Sequence, residues 1–129
     1  MDKLFIEGSK STPEVYFDPQ QNILLLQGQS YPENAFKFYE PIFNWVDNYL
    51  IQLNTEVVVK VDFILPYINT SSSKCIMMLL EKLDKAYLAG KQLSLNWYYN
   101  QDNESELECA EEFKEDLNLP FYIIPREDN

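Results

Sequence analysis

Thr55-Glu56-Val57-Val58-Val59-Lys60-Val61-Asp62-Phe63-Ile64-Leu65 is the stretch on which the fold turns. Apolar side chains recur at every second position. Val57, Val59, Val61, Phe63 and Leu65 share one side and Lys60 and Asp62 take the other, because successive strand residues point to opposite faces. The β-branched content suits a pleated surface, so the run reads as the central strand of a sheet. Just downstream the period changes from two to that of a helix. Ile76, Leu79, Leu80, Leu83, Ala86 and Tyr87 form one stripe along a helix from Ser71 to Leu88, and Gly90 is its stop. Gln92 to Tyr98 then alternates again, with Leu93, Leu95 and Trp97 inward and Ser94 and Asn96 outward. A strand, about five turns of helix and a second strand make a right-handed unit with parallel pairing.

On the N-terminal side, Glu14-Val15-Tyr16-Phe17-Asp18 and Ile23-Leu24-Leu25-Leu26-Gln27 read as a hairpin. Asp18, Pro19 and Asn22 supply the turn chemistry between them, and Leu4-Phe5-Ile6 adds a short edge strand. From Glu33 to Leu53 apolar residues return at helical spacing, including Phe36, Tyr39, Ile42, Phe43, Val46 and Tyr49. Ser30 with Glu33 forms a capping box, and Pro41 predicts a kink or a broken first turn. On the C-terminal side a third helix starts at Asp102 or Asn103, with Leu107, Ala110, Phe113 and Leu117 as a narrow apolar stripe. Phe121 to Ile124 closes the sheet and Pro125 to Asn129 is a frayed tail. The expectation is one α/β domain over residues 1–129, a mixed sheet with about three helices.

Composition narrows the function. The 129 residues contain no histidine, which removes imidazole bases, His-based triads and nearly every zinc site. Cys75 and Cys109 have no nearby partner and read as small core residues of a reduced, cytoplasmic protein. No run reaches the ~20 apolar residues of a membrane span, and the first residues do not resemble a secretory signal. A net charge of −11 repels phosphate backbones and anionic headgroups, so neither nucleic acid nor membrane is an expected partner. Much of the excess lies between Asp102 and Asp116, as a solvated helix face or a docking surface for a basic partner. No cofactor or metal is expected. A carboxylate enzyme pairing Asp62 with Asp102 or Glu104 is the catalytic alternative, although with 21 acidic residues some pair always looks suitable.

The segment that carries chemistry is Tyr67-Ile68-Asn69-Thr70-Ser71-Ser72-Ser73-Lys74, at the junction of the central strand and the second helix. Four consecutive hydroxyls stand where a helix start needs its free amides satisfied, and capping requires only one of them. One reading is an over-provided cap. The other is phosphorylation, which adds a charge of roughly −1.5 to −2 where the helix dipole favours it. Tyr31-Pro32-Glu33-Asn34, at the first helix start, is either ordinary capping chemistry or a partner contact, and Tyr67 belongs with it as a candidate contact.

Over nearly its whole length the chain resembles the SiaC family of bacterial regulatory phosphoproteins. The matching segments are Thr12-Pro13-Glu14-Val15-Tyr16-Phe17-Asp18, Gly28-Gln29-Ser30-Tyr31-Pro32-Glu33-Asn34-Ala35, Asn69-Thr70-Ser71-Ser72-Ser73-Lys74 and Trp97-Tyr98-Tyr99. The resemblance implies a fold like the STAS domains of anti-sigma-factor antagonists and reversible phosphorylation of Thr70, with Asn69, Ser71 and Ser72 as flanking and capping residues. It also implies a cognate serine/threonine kinase, a PP2C-type phosphatase and an effector, a diguanylate cyclase, that the unphosphorylated form binds and activates. The STAS antagonists carry Asp-Ser-Ser-Gly near this position. Asn69 and Ser72 depart from that pattern, so sigma-factor partner switching is the alternative assignment.

Overall fold

A computed structural model describes residues 1–127. Six strands and three helices follow one another as β1 (Leu4–Ile6), β2 (Glu14–Asp18), β3 (Ile23–Gln27), α1 (Ala35–Gln52), β4 (Val58–Ile64), α2 (Thr70–Leu88), β5 (Gln92–Asn100), α3 (Glu104–Lys114) and β6 (Phe121–Arg126). The strands lie side by side in chain order in one sheet. β1 pairs antiparallel with β2 and β2 with β3, whereas β3 through β6 run parallel. This is the single α/β domain with a mixed sheet that the alternating periods predict, and β4 is internal to it.

The register explains the core. Phe17, Leu24, Val61, Leu95 and Phe121 are cross-strand partners in one row, and all five are buried. Val15, Leu26, Phe63 and Trp97 form the next row, equally buried. Because every parallel crossover steps in the same direction and such connections are right-handed, α1, α2 and α3 all land on this face. Trp97 lies within 6.0 Å, ring to ring, of Phe63, Phe113 and Phe121, joining β4, α3 and β6. It is core, and each such buried side chain contributes about 1.5–3 kcal/mol.

Three local expectations change. α1 runs unbroken through Pro41. The proline removes only the bond to the Lys37 carbonyl, and both residues are exposed, so water can take its place. Pro125 and Arg126 belong to β6 rather than to a frayed tail, whose last residues, 128 and 129, lie outside the described ones. The Leu95 amide bonds to the Pro120 carbonyl and the Gln101 amide to the Arg126 carbonyl. Even-numbered residues of β6 therefore face β5, and Pro125, which lacks an N–H, sits on the free edge where none is required. β5 likewise extends past Tyr98 to Asn100.

A hydroxyl-rich helix start at the edge of the sheet

The carboxyl ends of β3 and β4 deliver the chain to the starts of α1 and α2, side by side. Beyond the strands the two connecting loops remain stitched together. The Ser30 amide donates to the Tyr67 carbonyl (2.8 Å) and the Asn69 amide to the Ser30 carbonyl (3.0 Å), while the Gly28 amide reaches the Ile64 carbonyl (2.8 Å). Gly28 has φ +128°, and a Cβ there would meet the Pro13 backbone at 3.2 Å, so conformation and space both call for glycine. The Tyr31 and Tyr67 rings meet edge to face at 5.9 Å over this seam. Tyr67 and Phe36 remain more than half exposed beside it.

Asn69 caps α2. Its backbone is extended (φ −78°, ψ 171°) and its Oδ1 accepts the Ser72 amide at 2.9 Å. Ser71 and Ser72, expected as capping residues, therefore do not cap through their side chains. The helix begins at Thr70, which places Ser72 on its inward face, one turn before Ile76. Ser72 is fully buried. The Ser30 hydroxyl donates to Ser72 Oγ at 2.8 Å and lies 2.7 Å from the Tyr39 hydroxyl. With the Ser30 proton committed to Ser72, the Tyr39 hydroxyl must be the donor to Ser30. Burial pushes the Tyr39 hydroxyl up to about 12, outweighing the opposite effect of the Ser30 bond, so it stays a donor at neutral pH.

The capping box proposed for Ser30 and Glu33 is likewise replaced. Ser30 is buried in the hydroxyl chain, and Asn34 caps α1 by accepting the Lys37 amide at 3.0 Å. Tyr39 and Ser30 are the residues that sequence reading missed as a pair. A tyrosine in an apolar stripe carries no mark of where its hydroxyl goes. Ser72 had a findable signal, since it extends the stripe of Ile76 and Leu80 at intervals of four.

Above this buried chain, Thr70 and Ser71 are exposed. Among the described residues no group engages their backbone amides, which point out of the helix start. The first turn of α2 holds no acidic residue. A negatively charged group on Thr70 would meet free amides and the positive end of the dipole together. Cys75, one turn on, is buried and its thiol is pushed up by that burial, so it is a packing residue. The carboxylates of the enzyme alternative do not converge: Asp62 accepts from Asn96 on the sheet face away from the helices, whereas Asp102 and Glu104 lie in the turn after β5 and at the start of α3.

The SiaC family regulatory phosphoprotein profile matches residues 6–126. The chain belongs to the SiaC family. Crystalline apo-SiaC from Pseudomonas aeruginosa is 39% identical, with a TM-score of 0.89 over 96% of this chain and 99% of that one. SiaC of the same organism, solved in complex with the diguanylate cyclase SiaD whose activator it is, gives 39% identity and a TM-score of 0.90, covering 95% and 99% of the two chains. An uncharacterised protein of Pseudomonas aeruginosa strain UCBPP-PA14 is 40% identical over 123 residues, 95% of this chain and 96% of its own length. The family is a regulatory one, and no helix among the described residues is long and apolar enough to cross a membrane.

Proposed function

We propose that this chain is a non-catalytic cytoplasmic switch whose unphosphorylated form binds and activates a diguanylate cyclase. Thr70 is the acceptor of a serine/threonine kinase, and a PP2C-type phosphatase resets it. The observation that carries the reading is the start of α2. Thr70 is exposed, beside two amides that no other group uses, on a helix turn without fixed negative charge. Membership of a phosphoprotein family and the cyclase complex of a relative at 39% identity support it.

Asn69 and Ser71 flank the acceptor, and with Tyr31, Pro32, Glu33, Asn34 and Tyr67 at the adjoining seam they make the proposed surface on which kinase and effector compete. Phosphate adds roughly −1.5 to −2 charge without demanding a rearrangement, because the helix start accommodates it. The effector loses instead, since it must bury an anion it has no partner for. Phosphopeptide mapping after incubation with the cognate kinase tests the acceptor, with phosphate expected on Thr70. Phosphate on Ser71 with Thr70 unmodified contradicts the assignment. Ser72, buried beneath the helix start, should stay unmodified in either case.

A further inference from the structure

All three helices cover one side of the sheet, and among the described residues no element covers the other. Strands β3 to β6 are parallel, and parallel strands are ordinarily buried on both faces. Here Leu25, Ile64, Tyr98 and Ile124 share a bare face with Phe5 and Tyr122, which are 58% and 55% exposed. Exposed apolar groups rimmed by charged residues in this way mark interaction sites.

The charge distribution says what fits there. The strand residues and the Lys3 side chain on this face supply three carboxylates, Glu14, Asp18 and Asp62, and three cations, Lys3, Lys60 and Arg126. The face is neutral, so the whole net charge of −11 lies elsewhere. Two copies meeting here bring no excess of like charge together. Near the middle, Lys60 stands 3.5 Å from Asp62, a pair of opposite sign that a two-fold axis would set against its own image. Arg126 over the Tyr98 ring and Lys3 over the Tyr16 ring hold the outer cations flat against the sheet.

We infer that the bare face of the sheet receives a second copy of this chain, face to face about a two-fold axis, with Lys60 of one protomer opposite Asp62 of its partner. Six strands spaced by ~4.8 Å and about five residues long at ~3.3 Å each give a slab roughly 25 by 17 Å. With side-chain relief this approaches the ~600 Å² per partner at the lower end of specific interfaces, so the dimer is weak and concentration-dependent. The inference stands apart from the role proposed for Thr70, which lies beyond the carboxyl end of β4 at the start of α2.

Sedimentation velocity on the full unmodified chain from ~1 to ~500 μM, a range bracketing micromolar association, is the test. The chain should pass from monomer to dimer, more readily in higher salt as the repulsion between the acidic remainders is screened. Lys60→Glu and Tyr122→Glu should each weaken association ~10-fold or more. The exchange Lys60→Glu with Asp62→Lys should restore it, because an isologous contact regenerates the opposite-sign pairs. Glu111→Gln on α3 should have no such effect, and far-UV circular dichroism of each variant checks folding. Two results overturn the inference: a chain that stays monomeric throughout, or a dimer indifferent to Lys60→Glu and Tyr122→Glu. Monomeric protein whose effector binding is lost in Tyr122→Glu would assign the face to the effector instead.

Discussion

α2 and α3 begin in the same way and then part. Each starts beyond the end of a parallel strand, and each is capped by an asparagine, Asn69 or Asn103, whose Oδ1 accepts the amide three residues on. In α3 the first turn already carries Glu104 and Glu106, and Glu106 Oε2 also accepts the Asn100 amide at 2.8 Å. Its dipole is complemented permanently. In α2 the corresponding positions carry hydroxyls, and no acidic residue stands in the first turn. The negative charge that stabilises a helix start is built into one helix and, on the proposed function, left for a kinase to add at the other. On that proposal the phosphorylation site occupies a stable position and is no weak point of the fold.

That stability comes from below. If the hydroxyl chain under α2 is what holds its start, Tyr39→Phe should cost about 1–3 kcal/mol, because Ser30 loses its donor inside the core. Chemical denaturation measures it, and among the described residues no buried hydroxyl chain lies under α3. The same residue gives a pH signature. The Tyr39 and Tyr49 hydroxyls are raised, chiefly by burial, from 10.0 to about 12. The folded state thus holds these protons more tightly than the unfolded one. Their contribution is complete below pH 10 and is lost as pH rises toward 12. Alkaline unfolding followed by circular dichroism should show a fall in that window, smaller in Tyr39→Phe.

The caps are the next largest effect. Asn69→Ala and Asn103→Ala should each cost ~1 kcal/mol, the ordinary value of a lost cap. A much larger loss at Asn69 alone would mean that its side chain does more than cap. Smallest is the charge itself. Thr70→Asp should stabilise by about 0.3–1 kcal/mol through the dipole, and Thr70→Ala should change little. Ser105→Asp, placed among the carboxylates of α3, should gain less than Thr70→Asp. Equal gains would dissolve the contrast between the two helix starts.

Much of this was legible in the residues. The alternation of Val57 to Leu65 identified an internal strand, and the switch of period at Ser71 identified the helix after it, since burial on one face leaves a plain pattern. Asn103, one of two caps named for α3, caps it. The cap of α2, Asn69, was named only as one of a set, because Asn69, Ser71 and Ser72 all have oxygens that can accept an amide. Only the angle at which the strand hands over to the helix decides among them. The hydroxyl chain of Tyr39, Ser30 and Ser72 was hidden for a related reason: it joins residues 9 and 42 positions apart, and nothing local marks the contact. The bare sheet face followed from strand order, which depends on how each crossover steps and not on any single strand.

The central claim is that charge added at Thr70 disables the effector surface and leaves the fold intact. Isothermal calorimetry with the proposed diguanylate cyclase effector, comparing unmodified, Thr70-phosphorylated and Thr70→Asp protein, addresses it directly. Phosphorylation should weaken binding by ~10²-fold or more, a buried unpaired charge costing several kcal/mol and each 1.4 kcal/mol being tenfold. Thr70→Asp, with less charge and bulk, should fall between, and all three proteins should unfold cooperatively. Phosphorylated protein that binds as tightly as the unmodified chain, or more tightly, would contradict the account and make the phosphate a recognition element.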